Sequence, residues 1–372
     1  MTHADSSVLY RDEELLVRRG GGHGTSACVV TFDSYTDVLD LDRPAFGEHF
    51  LAGERIDAVH VLPRGNRWYQ HSGMEAACAS VRAAVRDYDR VIAYGSSMGG
   101  YAALRLAGLV GARTVLALSP QWTINWRRAP WERRWAESSR MFEDVWEGSV
   151  PPPPIDKAFV IFDPLLRDRR HVEGLERDGY RFQRVEVPGG GHPVGGFLAE
   201  IGLLRPAVLD VIADRFNPGQ WREAALQGRA GSAQALLAES SRVSKARIGR
   251  RLSLLQRAAR IAPGDPIVLS RLALELAWAG RQADALAHHR RALEIQPGQP
   301  TLLMHLSCIL EIAGDREGAR RVMAEVCASP TSEFYRPRLD ALSTPVAAGR
   351  RWPGWLRRMI GARPSQLAGV NV

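Results

Sequence analysis

From about residue 23 to 220, short runs rich in Val, Ile, Leu and Ala alternate with stretches of helical apolar spacing, which narrows the fold more than any other feature. Parallel neighbouring strands need a crossover connection, so such alternation is the pattern of a parallel sheet with helices between its strands. Strands are expected at 27–32, 56–62, 90–95, 114–119, 158–162 and 182–187. Apolar spacing predicts helices over 73–89, 99–110 and 193–216. The expected class is α/β, with a doubly wound, mostly parallel sheet. At 372 residues the chain is too long for one ordinary core, and a second domain is expected.

Within that pattern, residues 91–108, VIAYGSSMGGYAALRLAG, pass from a β-branched run through glycines and serines into a helix-forming stretch. Gly95-Ser96-Ser97-Met98-Gly99 has the G-x-S-x-G form, in which a strained strand-to-helix bend presents a serine hydroxyl above the sheet. Only Ser97 has glycines two residues away on both sides; centring on Ser96 would place Tyr94 and Met98 there. Side chains at the two flanking positions would crowd so tight a bend.

A serine hydroxyl is a poor nucleophile without a base, and the base needs a group that fixes its tautomer. Of ten histidines, His192 alone lies in a glycine-rich loop (VEVPGGGHPVGG, 185–196) between the last expected strand and the final helix of this region. His71 and His171 read as exposed loop or helix-start residues. The acid is expected between Ser97 and His192 in the chain, after the next-to-last strand, where Asp163 and Asp168 stand. Asp168 is preferred, because a loop position before a helix turns back toward the histidine more freely than one followed at once by Pro164. Asp163 would then support the loop by accepting backbone hydrogen bonds. The amide of Met98 is one expected oxyanion donor, and a second is expected where the chain leaves its first parallel strand at Phe32 and Asp33.

With these residues in the chain order serine, aspartate, histidine, region 23–220 resembles the α/β-hydrolase fold. The resemblance implies esterase, thioesterase, amidase or acyl-transfer activity on a small-molecule or acylated substrate, with neither a metal nor an organic cofactor. The non-glycine loop after Phe32 departs from the His-Gly-Gly form of many lipases. Other segments at strand ends offer Asn66, Trp68, Tyr69, Gln121 and Trp122 as residues that shape a pocket. Segment 121–154 interrupts the alternation with five tryptophans, many arginines and a proline run. Ligands bind at the carboxyl side of such sheets. The segment is therefore read either as a lid-like insertion or as a helical excursion whose tryptophans pack on the body. Arg127 and Arg128 within it suggest an anionic or sugar-linked substrate.

After residue 222 the sequence is helical throughout. On a 34-residue register, Leu269, Leu272, Ala273, Leu276, Gly280, Ala285, Ala292 and Pro297 match a repeat, and Leu303, Leu306, Ser307, Leu310, Gly314 and Ala319 a second. Ala258 and Pro263 are left of a degenerate third. Residues 232–333 thus resemble tetratricopeptide repeats, which implies an all-α repeat domain that binds a protein partner. His289 and Met323 stand where an aromatic is usual. The expected division is 1–220 for the sheet domain, 221–345 for the repeats and 346–372 for a basic tail. That tail carries interleaved tryptophans compatible with peripheral membrane or protein contact, but Pro353 and Gly354 interrupt any amphipathic helix.

Composition sets the remaining bounds. The net charge is +8 with Lys157 and Lys245 the only lysines, which fits arginine-rich codon usage as well as an acidic partner. No nucleic-acid module is recognisable. Cys28, Cys78, Cys308 and Cys327 are scattered through apolar segments without metal-ligand spacing, as in a reduced cytoplasmic protein. The first twenty residues lack the apolar core of a signal peptide, and no run approaches the length of a transmembrane helix. A serine hydrolase or acyltransferase is the leading reading, and a non-catalytic scaffold acting through the repeats is the alternative.

Overall fold

The computed structural model describes residues 7–36, 38–328 and 335–344. Two compact units meet in the chain between Ala235 and Leu236. In the first, an eight-stranded sheet runs in the order β1-β2-β4-β3-β5-β6-β7-β8. The strands are β1 (Ser7–Arg11), β2 (Leu15–Gly20), β3 (Ala27–Phe32), β4 (Asp57–Pro63), β5 (Arg90–Ser96), β6 (Thr114–Leu118), β7 (Lys157–Phe162) and β8 (Gln183–Glu186). From β4 through β3 to β8 every pairing is parallel. The β1–β2 hairpin adds two antiparallel strands at one edge that sequence reading missed. Its turn depends on a side chain: Asp12 Oδ1 accepts from the amides of Glu14 and Leu15 at 2.8 and 2.7 Å, and the surrounding charges hide the strands.

The helices of this unit are α1 (Glu48–Gly53), α2 (Met74–Val85), α3 (Met98–Leu106), α4 (Ala136–Arg140), α5 (Asp168–Arg177), α6 (Gly195–Glu200), α7 (Leu204–Ile212) and α8 (Pro218–Gly228). Successive strand residues face opposite sides, so two cores form. Val30, Phe32 and Val160 pack with Met98, Tyr101, Val172 and Leu175 on one face. On the other, Val29, Ile92 and Ile161 pack with Phe197, Val208 and Trp221. Burial of Trp221 and Ala225 in the second core ties α8 to the sheet, which is why the unit runs past the expected boundary at 220. The helix expected over 193–216 is two, α6 and α7, separated where Gly202 takes φ 73°.

Segment 121–154 contains only the short α4 among its described residues, so it is not the helical excursion considered for it. Trp122 is buried, Trp131, Trp135 and Trp146 pack half-buried against the core, and Trp126 is exposed. Glu147 fastens the end of the segment by accepting from Tyr101 Oη (2.8 Å) and Arg128 (2.9 Å).

The helix α9 (Ala233–Arg242) leads into the second unit, which continues with α10 (Ile248–Ile261), α11 (Pro266–Trp278), α12 (Gln282–Ile295), α13 (Pro300–Ile312), α14 (Arg316–Cys327) and α15 (Arg336–Ser343). α11 pairs with α12 and α13 with α14, and α11 also packs on α10 and α13. Gly280 and Gly314 take φ 78° and 89° at the turns of the two hairpins. Asp265 and Asp315 cap α11 and α14 by accepting from backbone amides of their first turns. Ala273, Ala277, Ala285 and Cys308 are small enough to let these helices approach, and they form the core with Leu272, Leu276 and Ile309. The expected basic tail, 346–372, lies outside the described residues. No helix among the described residues is long and apolar enough to cross a membrane.

Candidate active site

β5 ends at Ser96 and α3 begins at Met98, which leaves Ser97 alone in the bend at φ 54°, ψ −115°. A non-glycine residue held there stores backbone strain of about 1–3 kcal/mol. Close approach of the backbone explains the flanking glycines. A Cβ on Gly95 would lie 2.2 Å from the carbonyl oxygen of Gly99, and one on Gly99 would lie 2.1 Å from that of Phe32. The Ser97 amide donates to Leu118 O at 2.8 Å, and the Ser97 carbonyl accepts from Tyr101 N at 3.0 Å, so both sides of the bend are tied.

The Ser97 Oγ lies 3.1 Å from His192 Nε2, and His192 Nδ1 lies 2.8 Å from Asp168 Oδ2. A carboxylate only accepts, so Nδ1 carries the ring proton and Nε2 is left to accept from the serine hydroxyl. Asp168 is the first residue of α5 and fully buried. Burial acts to raise its carboxyl, but the neighbouring His192 and then Arg134 outweigh it and hold Asp168 below the ordinary carboxylate range. Asp163, at the end of β7, plays the other part considered for it. It accepts from Leu165 N (2.9 Å) and from Gly191 N (3.0 Å), the residue before His192. That same loop is held further on, where the Val194 amide donates to Ser119 Oγ at 3.1 Å.

Behind Asp168 stands a group of charges that sequence reading missed. Arg134 Nη1 donates to Asp168 Oδ1 at 2.8 Å, and its Nη2 donates to Glu132 Oε2 at 2.6 Å. His171 is buried rather than exposed: its Nε2 lies 2.8 Å from Glu132 and its Nδ1 accepts from the Trp122 amide at 3.0 Å. Burial pushes His171 below its ordinary range. On Glu132 burial acts the other way, to raise it, but hydrogen bonds from His171 and Arg134 leave that carboxyl far below its ordinary range. His71 is likewise buried, with Nδ1 3.3 Å from Glu14.

Trp68 and Gln121 meet at the site. The Trp68 Nε1 donates to Gln121 Oε1 at 3.3 Å, and Gln121 Nε2 donates to Ser97 Oγ at 3.0 Å. Trp135, from the insertion, completes the wall with its ring 6.0 Å from that of His192 and 5.6 Å from that of Trp68, stacked on Tyr35 at 5.1 Å. The remaining expected pocket residues are engaged elsewhere. Tyr69 is fully buried, its hydroxyl donating to Asp33 O at 3.0 Å. Trp122 donates to Asp178 at 2.7 Å and has the Arg128 and Arg177 guanidiniums 4.7 and 5.3 Å from its ring. Asn66 bonds both backbone groups of Thr36. Arg128 is spent on Glu147 and Asp178, which removes it from the expected pair of substrate-facing arginines, while Arg127 is exposed beside Trp126.

Met98 opens α3, where backbone amides have no intrahelical partner. The second expected donor needs correction. Phe32 lies within the ladder, paired with Val61 and Gly95, and meets the bend through its carbonyl. The Asp33 amide donates to Val61 O at 3.4 Å. The first amide beyond these bonds is that of Ser34, whose Oγ anchors this loop to Ser96 O at 2.9 Å. Among the described residues, no group of three or more His, Cys, Asp or Glu is placed to share a metal ion.

No protein-family model matches the chain, and no curated protein matches it. Among solved structures it is similar to the capsule O-acetyltransferase of Neisseria meningitidis serogroup A, at 10% identity over 55% of this chain and 93% of that one, TM-score 0.38. It is similar also to the alpha/beta hydrolase domain-containing protein 10 from mouse, at 15% identity over 57% and 99%, TM-score 0.38. A third is an α/β serine hydrolase without lid from Xanthomonas campestris, at 15% identity over 61% and 94%, TM-score 0.33. Likenesses this loose carry nothing further about this chain, and the reading of the site rests on its own geometry.

Proposed function

We propose that the sheet unit is a serine hydrolase or acyltransferase that acts on an ester, thioester or amide through an acyl-enzyme on Ser97. The observation that carries this reading is the convergence of Ser97, His192 and Asp168 from three distant segments of the chain, at 3.1 and 2.8 Å. In the first half-reaction Ser97 Oγ attacks the acyl carbon while His192 Nε2 takes the hydroxyl proton. Asp168 holds the imidazole in the accepting tautomer and stabilises the imidazolium. The Met98 amide, with that of Ser34 as the second donor, receives the developing oxyanion. His192 then gives its proton to the leaving group as the bond to the acyl carbon breaks. In the second half-reaction water or another acceptor takes the acyl group by the same steps in reverse.

The second unit is read as tetratricopeptide-like repeats that bind a protein partner. Support comes from two helical hairpins whose turn glycines, Gly280 and Gly314, stand one 34-residue period apart.

A fluorophosphonate probe tests the enzyme reading, because it labels only an activated serine. Labelling of the full chain that disappears in Ser97→Ala is expected. Equal labelling of both would remove Ser97 as nucleophile, and labelling of neither would favour a scaffold that acts through its helices.

A further inference from the structure

We infer that Gln121 is a catalytic residue of the second half-reaction, where its side-chain N–H seats the hydroxyl of the acyl acceptor opposite His192. This rests on reading Ser97 as the residue that carries the acyl group.

Trp68 fixes which end of the carboxamide faces the serine. An indole N–H only donates, so Trp68 Nε1, 3.3 Å away, requires Oε1 on its side and turns Nε2 toward Ser97. Trp68 and Gln121 are both fully buried, so no solvent competes for the amide. The result is a triangle of polar atoms: Gln121 Nε2 to Ser97 Oγ is 3.0 Å, Ser97 Oγ to His192 Nε2 is 3.1 Å, and the two nitrogens are 3.5 Å apart.

In the free enzyme the serine oxygen satisfies both nitrogens, accepting from Gln121 and donating to His192. Acylation changes this. Oγ becomes an ester oxygen, it has no proton left for His192, and one of its two lone pairs is delocalised into the carbonyl, so it accepts poorly. The Gln121 N–H is then a buried donor without an adequate partner, an arrangement that costs about 1–3 kcal/mol. A group that relieves both nitrogens must accept from Gln121 and donate to His192. A hydroxyl, of water or of an alcohol, does both with one oxygen, and it is thereby held beside the base and the acyl carbon.

The acceptor oxygen forms a bond to the acyl carbon and passes its proton to His192 Nε2. The bond from the acyl carbon to Ser97 Oγ breaks, and Oγ recovers the proton from His192. Gln121 neither gains nor loses a proton.

The test measures the share of enzyme present as acyl-enzyme during turnover, by rapid quench and intact mass with p-nitrophenyl acetate as probe. In Gln121→Leu, a change of similar size that removes the donor, deacylation should slow more than acylation, so that acetyl-enzyme accumulates. The steady-state rate should fall about 10- to 100-fold, the effect of one buried donor lost at a reacting oxygen. In Trp68→Phe, which leaves Gln121 in place but unfixed, the same accumulation is expected to a lesser degree. This second variant keeps the test open if the leucine variant fails to fold. Loss of acylation and deacylation in equal proportion, or no accumulation in either variant while turnover depends on Ser97, would overturn the role of Gln121. Absence of any Ser97-dependent turnover in the unaltered protein would instead overturn the parent reading, and this one with it.

Discussion

Arg134 and Asp168 are joined by a hydrogen bond of 2.8 Å from guanidinium to Oδ1, on the carboxylate oxygen that His192 leaves free. A positive charge there draws on the same carboxylate that would stabilise the imidazolium, so Arg134 restrains the base while it orients the acid. Removing the charge in Arg134→Gln should let Asp168 stabilise protonated His192 more strongly. The acid limb of kcat/KM should then move to higher pH. Arg134→Lys, which keeps a charge but loses the fork, should fall between. A pH–rate profile for the three proteins checks this, and a purely structural role would lower activity without moving the limb.

Asp163 and Asp168 should separate when each is replaced by asparagine. Asp168→Asn lets the ring take the wrong tautomer, and a loss of roughly 10³- to 10⁴-fold in kcat is expected with the fold intact. Asp163→Asn weakens the bonds to Leu165 and Gly191 without touching the imidazole. It should lower the thermal midpoint while most activity survives at low temperature. Steady-state kinetics beside thermal unfolding distinguish the two, and equal losses of activity would contradict the assignment of roles.

At the bend, Gly99→Ala would press a methyl group against the Phe32 carbonyl, 2.1 Å from where its carbon must go. Backbone, not a mobile side chain, is the obstacle, so α3 must shift and carry Ser97 with it. A destabilisation of about 3 kcal/mol or more is expected, read as a lowered denaturant midpoint, with activity lost even in the protein that remains folded.

These outcomes bear on what a sequence reveals. The five parallel strands β3 to β7 are legible because each is an apolar run buried on both faces, as central parallel strands are, whereas the edge strand β8 buries only Val185 and shows as a shorter signal. Ser97, His192 and Asp168 could be named as candidates because each lies beside a local signal: a glycine-framed bend, a glycine-rich loop, a strand end. α5 was harder to see. Its buried residues are Asp168, His171, Val172, Gly174 and Leu175, but two of the five are polar and one is glycine, so hydropathy conceals them. Arg134 and Trp135 could not be placed at all, since their positions depend on the irregular path of the insertion. Gln121 could be suspected from its place at a strand end, but its orientation toward Ser97 is set by an indole more than fifty residues earlier in the chain.

Acid should weaken the helical unit before it affects most carboxylates. His289 and His305 share the Ser270 hydroxyl, at 3.3 and 2.7 Å, in the buried interior. Burial pushes His289 down to about 4 and, with Arg271 and His289 adding to it, His305 to about 3. Both rings are therefore neutral in the folded chain at pH 5, while in the unfolded chain each takes up a proton below its ordinary value of about 6.5. The unfolded state binds more protons, so stability falls as pH falls from about 6.5 toward 4, by up to about 1.4 kcal/mol per pH unit for each ring. Exposed carboxylates contribute little in that window because they titrate near its lower end. Urea midpoints of the full chain at pH 7, 6 and 5, followed by far-ultraviolet circular dichroism, should decline, and His305→Asn should flatten the decline whatever it does to the midpoint at pH 7. A slope unchanged in that variant would mean that the imidazole of His305 is not excluded from protonation by the fold.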